Sequence, residues 1–296
     1  MRVSARLTNS FFRLGSGSVF LLCLSVGYIA GKMMVVRALE AGGELQVLNI
    51  SSSPLRDWSG VADLAAMVPL QVEETLNREE TAEKLKGIRQ LLIGGAPVSR
   101  LLEKRLGEFP SECFVTYGMT ETVSHVALRR LNGGPVYTAL GKVSFSTDLR
   151  GCLVIHAPHL SGGRYVTNDL VKLQDSRHFE WIGRYDHIIN SGGIKLSPEA
   201  IEVRLADRIP QRFFISSRPD ERLGERVVLL IEGEEWEEGA LSELRRVLRM
   251  VLSPYEVPRE IIFCPRFQET SSGKLIRDIR ELIPEFSSGD GKKRTP

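Results

Sequence analysis

Apolar and polar positions recur along this chain with two periods, and the period changes at glycine, proline and serine punctuation. Val3, Leu7, Phe11 and Leu14 lie at helical spacing, which predicts a helix over 3–14 stopped by Gly15 and Gly17. The run 19–24 predicts a buried strand feeding a helix over 29–41. Further strands are expected at 45–50, 88–93 and 113–116, with helices at 69–76 and 99–109. Strand–helix alternation of this kind predicts a mainly parallel α/β sheet. Ligands of such sheets bind beyond the carboxyl ends of the strands. Two of those ends are Gly94-Gly95-Ala96 and Tyr117-Gly118-Met119-Thr120-Glu121.

From Asn132 the texture changes to short β-rich runs at 151–155, 165–167, 171–173 and 179–182, separated by glycine and proline. They predict a small antiparallel or barrel-like subdomain. Residues 184–286 read as a separate, smaller α+β domain. Its helices are expected at 198–206, 240–252 and 275–282, and its strands at 212–216, 226–232 and 260–264. The expected organisation is therefore an α/β part over 1–131, a β-rich part over 132–183, the α+β domain, and a disordered tail over 287–296.

Composition changes this picture little. The chain has 296 residues, 42% hydrophobic and 26% charged, which fits a globular protein with a sizeable core. Net charge is +2, from 39 basic and 37 acidic residues, so there is no electrostatic case for a nucleic-acid partner. Lys292, Lys293 and Arg294 read as a solvated terminus. Cys23, Cys113, Cys152 and Cys264 each sit in an apolar run, without a zinc spacing, and read as buried reduced thiols.

Tyr117-Gly118-Met119-Thr120-Glu121-Thr122 combines a flat ring for stacking a base, a hydroxyl for a phosphate and a carboxylate for Mg²⁺. The plain alternative is a helix start capped by Thr120. Thr167-Asn168-Asp169 and Gly183-Arg184-Tyr185-Asp186 each follow a strand, and an Asp and an Arg suit the two hydroxyls of a ribose. Gly192-Gly193 permits a tight turn with positive φ. Thr270-Ser271-Ser272-Gly273-Lys274 puts a cation on a glycine turn, suited to a carboxylate or phosphate.

In their order, YGMTE, YVTND, GRYDHIINSGGIKLSPEAIE and TSSGK resemble the motifs of the acyl-adenylate-forming (AMP-binding) superfamily, over most of residues 19–283. YGMTETVSHVALRRLN at 117–132 and LSVGYIAGKMMVVRA at 24–38 look like the o-succinylbenzoate–CoA ligase branch, where the second segment lines the acyl pocket. The resemblance implies an acid–CoA ligase using ATP, Mg²⁺ and coenzyme A on a small carboxylic acid, in menaquinone biosynthesis if the branch holds. It implies that Gly94, Gly95, Ala96 and Tyr117 frame the adenine, with Gly118 among the cofactor-binding residues. Thr120 would contact phosphate, Glu121 would bind Mg²⁺, and Asp169 would hold the ribose with Arg184 beside it. Asp186 would be the hinge of a mobile C-terminal domain, Gly192 and Gly193 would line the CoA channel, and Lys274 would serve adenylation.

Arg2, Arg6 and Arg13 ahead of the apolar run 19–30 imitate a secretory leader, but the run is short for a spanning helix and Lys32 closes it. The motifs beyond favour a cytoplasmic protein without a membrane partner. The family's Gly/Ser/Thr-rich phosphate loop ending in Lys would precede the helix at 3–14. Gly15-Ser16-Gly17-Ser18 lies after it with no following Lys and reads as a helix-to-strand turn. The expectation is therefore a partial N-terminal domain from a longer ligase. A degenerate AMP- and CoA-binding homologue, a ligase for another aryl or acyl acid, and a second polypeptide completing the site remain open. Asn168, where the family usually has Gly, and Ser25 and Tyr28, in place of a common Pro and His, are smaller departures.

Overall fold

The computed structural model describes residues 1–269 and 275–277 and divides into two units, Met1–Trp181 and Ile182–Pro296. Unit 1 opens with α1 (Arg2–Phe12), β1 (Val19–Leu22), α2 (Ile29–Ala41), β2 (Glu44–Val47) and β3 (Ala62–Met67). It continues through α3 (Pro69–Leu76), α4 (Glu79–Leu85), β4 (Ile88–Ile93), α5 (Arg100–Leu106) and β5 (Glu112–Gly118). The β-rich part supplies β6 (His125–Arg130), β7 (Val136–Ala139), β8 (Ser144–Thr147), β9 (Cys152–His156), β10 (Arg164–Leu173) and β11 (His178–Arg184).

These strands form one 11-stranded sheet in the order β2-β1-β3-β4-β5-β6-β7-β11-β10-β9-β8. The first five are parallel, and the pairs β5–β6, β6–β7, β7–β11, β10–β9 and β9–β8 are antiparallel. The β-rich region is therefore not a separate sheet. Its hairpins continue the parallel half, because β6 returns directly along β5 instead of crossing over through a helix.

Alternation along the parallel strands fills both faces. Leu21, Ala65, Leu91, Ile93, Cys113 and Val115 pack with Val72, Leu76, Leu85, Leu102 and Leu106 from the helices α3, α4 and α5. Phe20, Leu22, Leu64, Leu92 and Phe114 pack on the other face with Phe12, Met34 and Ala38 of α1 and α2. The run 19–30 is thus a sheet strand and the start of a packed helix. Among the described residues no helix is long and apolar enough to cross a membrane. All four cysteines are free and buried, and burial pushes the Cys23 and Cys113 thiols up to about 12.

Helix α1 contradicts its own periodicity. Val3 and Phe11 are exposed, while Ser4, Ala5, Thr8, Asn9 and Phe12 are buried. Small residues at i, i+1, i+4 and i+5 let α1 lie close on α2, and polar contacts fix its rotation. Thr8 donates to the Ser4 carbonyl (3.2 Å), and Asn9 Nδ2 donates to the Arg37 carbonyl (2.9 Å).

Unit 2 contains β12 (Ile189–Ser191), β13 (Ile194–Leu196), α6 (Pro198–Leu205), β14 (Phe213–Asp220), β15 (Gly224–Glu232), α7 (Glu238–Val251) and β16 (Glu260–Cys264). Val227, Leu229 and Ile231 of β15 face Ile201, Leu205, Leu244 and Leu248 of the two helices. Val228 and Leu230 face Phe214, Cys264 and Phe267 on the opposite side. The expected helix at 275–282 differs at its start, where Leu275 bridges Glu269 and Ile276 N donates to Gln268 O (3.0 Å). The rest of that helix and the tail 287–296 lie outside the described residues.

Candidate active site

Gly94, Gly95 and Ala96 follow β4, and Tyr117 and Gly118 close β5. The two strands pair in parallel as far as Ile93↔Val115, and Thr116 Oγ1 donates across to Ile93 O (3.3 Å). The two motif-bearing ends are therefore neighbours. The helix expected at Thr120 is instead one 3-10 turn, Thr120–Thr122, before β6 runs back along β5. Thr122 closes that turn. Its Oγ1 accepts from Met119 N and lies 2.9 Å from both the Met119 and Ser124 carbonyls. Thr120 and Glu121 are left exposed on the turn, without an α-helix N-terminus behind them.

Gly118 is required by close approach. A Cβ there would lie 2.6 Å from Ser124 O and 2.7 Å from His125 Cα, both backbone atoms of the returning strand. Gly118→Ala is expected to lower stability by about 1–3 kcal/mol, the usual cost of overpacking. A urea melt with an unchanged midpoint would show that β5 and β6 can separate there.

Asp169 lies in β10, where the register with β9 shifts between Val166 and Leu170. Tyr117 donates its hydroxyl to Asp169 Oδ2 (2.6 Å), and Trp181 Nε1 donates to Oδ1 (3.2 Å). The structure therefore brings Tyr117 and Asp169, 52 residues apart, into direct contact. Burial first, then the Asp169 charge and hydrogen bond, push the Tyr117 hydroxyl far above its ordinary pKa, so it stays a donor. Its ring packs edge-on against Phe179 (5.1 Å) and Tyr137 (5.8 Å).

A second polar cluster lies beside this turn; its residues Arg37, Ser124 and His125 fall within the branch-like segments 24–38 and 117–132, but none was singled out from sequence. Arg37 of α2 is 3% exposed. Its Nη2 donates to Ser124 Oγ (2.7 Å) and faces His125 Nδ1 (3.5 Å), and its Nη1 reaches Met34 Sδ (3.4 Å). His125 Nε2 lies 3.0 Å from Thr8 Oγ1. Since Thr8 gives its proton to Ser4 O, its oxygen accepts from Nε2–H, which leaves Nδ1 as the acceptor facing Arg37. Burial, then the Arg37 charge, hold His125 neutral. Burial pushes Arg37 down to about 10, so it remains charged at neutral pH. No carboxylate contributes to that shift, and Arg37 Nε has no partner among the described residues.

In unit 2, Arg184 pairs with Asp186 through Nε (2.8 Å) and Nη2 (2.6 Å), which holds the Asp186 carboxyl below its ordinary range. Gly192 and Gly193, with φ of 61° and 82°, form the two-residue turn between β12 and β13. Positive φ at both central positions is the condition for such a hairpin, and glycine meets it without strain. Lys274, with Thr270 to Gly273, lies outside the described residues.

Among the described residues no group of three or more His, Cys, Asp or Glu is arranged to hold a metal ion. A lone exposed Glu121 fits an Mg²⁺ that keeps most of its ligands from nucleotide phosphates and water.

A protein-family model described as AMP-binding enzyme matches residues 2–153. A probable 2-succinylbenzoate–CoA ligase of Mycobacterium tuberculosis is 27% identical over 96% of this chain and 79% of its own length. The crystal structure of an acyl-CoA synthetase (AMP-forming)/AMP-acid ligase II-like protein from Dyadobacter fermentans is 36% identical, with TM-score 0.62, over 96% of this chain and 83% of the other. The O-succinylbenzoate coenzyme A synthetase of Bacillus subtilis, solved with ATP and magnesium ion, shares the fold, with TM-score 0.76 at 18% identity over 94% of this chain and 64% of its own. The fold and these matches define an ATP-dependent, AMP-forming acid–CoA ligase class. The chain belongs to the AMP-binding enzyme family.

Proposed function

We propose that this chain acts in the ligation of o-succinylbenzoate to coenzyme A through an acyl-adenylate. The observation that carries the substrate is Arg37, a buried guanidinium whose described partners are two neutral side-chain atoms and a neutral imidazole. A buried cation without a counter-ion is costly, and an incoming carboxylate offsets that cost. o-Succinylbenzoate has two carboxylates, so one can be activated while Arg37 holds the other. The named relatives are consistent with this acid.

In the first half-reaction a substrate carboxylate oxygen attacks the α-phosphorus of ATP and pyrophosphate leaves. In the second, the coenzyme A thiol attacks the acyl carbonyl, losing its proton, and AMP leaves. Gly94, Gly95, Ala96 and Tyr117 frame the adenine, Gly118 binds the nucleotide beside them, and Asp169, with Arg184, takes the ribose hydroxyls. Thr120 contacts phosphate and Glu121 is the residue that would hold Mg²⁺. When bound, that ion offsets the repulsion between the anionic acid and the nucleotide. Lys274 stabilises charge during adenylation, Asp186 is the hinge between half-reactions, and Gly192 and Gly193 line the thiol's path. A cytoplasmic place in menaquinone biosynthesis follows from the substrate.

The test is pyrophosphate release from ATP and Mg²⁺ with o-succinylbenzoate, against its analogue lacking the ring carboxylate. Saturable release with the diacid and far weaker release with the monoacid is expected. Release with other acids but not with o-succinylbenzoate refutes the substrate. AMP binding without any acid-dependent release refutes ligase activity and leaves a nucleotide-binding protein.

A further inference from the structure

We propose that Arg150 is a positioning residue for Asp169, acting through Asn168 and the bulge that contains both. The inference rests on the reading of Asp169 as the ribose carboxylate. Where β10 leaves register with β9, Thr167, Asn168 and Asp169 fall between the paired positions Val166 and Leu170. Between those two pairs the ladder towards β9 is interrupted, and side chains bond the bulge there. Thr167 Oγ1 donates to Leu153 O (2.9 Å) and accepts from Asp169 N (3.0 Å).

Arg150 supplies the rest from the turn between β8 and β9. Its Nη2 donates to Thr167 O (3.1 Å), its Nη1 to Asn168 Oδ1 (2.9 Å), and its Nε to Asp148 Oδ2 (2.8 Å). Asp148 is itself fixed, since its Oδ1 accepts from Arg150 N (2.9 Å) and Cys152 N (3.0 Å). One planar fork thus joins a rigid turn to the two residues preceding Asp169, which the point charge of a lysine does not reproduce. Asn168 stands where the related motif has Gly, yet its φ is not positive, so the bulge does not need glycine. What asparagine adds is the acceptor that Arg150 holds.

The Arg150 side chain is 37% exposed, so its ion pair with Asp148 is worth little as stability. Its effect is geometric. Tyr117 and Trp181 hold the Asp169 carboxylate from the side-chain end, and Arg150 holds the backbone that carries it. Loosening the backbone end lets the carboxylate miss the ribose hydroxyls while leaving contacts to the base and phosphate intact.

The experiment is calorimetric titration of the chain with AMP and with 2′,3′-dideoxy-AMP, for the wild type, Arg150→Ala, Arg150→Lys, Asn168→Gly, Arg150→Ala/Asn168→Gly and Asp169→Ala. Arg150→Ala is expected to weaken AMP roughly 3- to 10-fold, the range of one net hydrogen bond, and to leave the dideoxy ligand unchanged. Arg150→Lys should fall in the same direction, which keeps the test if the alanine variant fails to fold. The double variant should be no weaker than Arg150→Ala, because both changes break one linkage. Equal weakening of both ligands, or no change, in the Arg150 variants while Asp169→Ala loses its AMP preference overturns the role of Arg150 and leaves the ribose site standing. An unchanged preference in Asp169→Ala overturns the ribose reading itself, and the inference with it.

Discussion

Asp169→Ala is expected to weaken AMP binding roughly 10- to 150-fold, equivalent to about 1.5–3 kcal/mol for hydrogen bonds to a charged group. The carboxylate is oriented before any ligand arrives, because one oxygen accepts from Tyr117 and the other from Trp181 Nε1. Pre-orientation of this kind reduces the ordering cost of binding. The alanine also strands two aromatic donors, so part of its loss is structural. Asp169→Asn separates the two, since it keeps the shape and an acceptor but removes the charge. It should retain the wild-type melting temperature within a few degrees and still lose most of the AMP affinity. Calorimetry on both variants decides, and wild-type affinity in the asparagine form removes Asp169 from the nucleotide site.

The second large effect is expected at Arg37. Arg37→Met should weaken binding of o-succinylbenzoate by at least about 30-fold, since truncating one side of a buried charged pair costs about 2–5 kcal/mol. The monoacid lacking the ring carboxylate should bind both forms alike. Stability should move the other way or not at all, because methionine removes a desolvated cation that has no carboxylate beside it among the described residues. Opposite signs for affinity and stability identify a residue kept for substrate rather than for the fold. A destabilised Arg37→Met chain with unchanged diacid affinity would make Arg37 structural. Ser124 and His125, which contact it, would then be packing partners only.

Much of the architecture is legible in the chain. The helices at Ile29–Ala41 and Pro69–Leu76 and the strands at Ile88–Ile93 and Glu260–Cys264 fall where periodicity, proline and glycine place them. β3 and α4 carry no such signal. β3 reads Ala-Asp-Leu-Ala-Ala-Met, poor in β-branched residues, and is a strand because β1 and β4 flank it. α4 is a seven-residue helix whose sequence is mostly polar. At α1 the apolar stripe pointed to the wrong face. Packing small residues onto α2, with Thr8 and Asn9 hydrogen-bonded, decided the rotation over the exposure of Val3 and Phe11.

The candidate site divides the same way. Tyr117, Glu121, Asp169, Gly192 and Gly193 sit in short motifs whose chemistry depends on neighbours in the chain, and sequence alone is enough to single them out as candidates. Trp181 and Arg150 belong to no motif; Arg37 falls within the segment 24–38, but nothing there sets it apart from the other basic residues, and it meets His125 across 88 positions. Sequence by itself determined the family, the α/β class and the residues at strand ends, because those follow from local period and local turn chemistry. Only the tertiary structure decided that the β-rich half extends the same sheet, that Thr120 opens a single turn and not a helix, and that Arg37 lies buried beside that turn. Those outcomes depend on long-range burial and desolvation, which arise only when distant segments pack together.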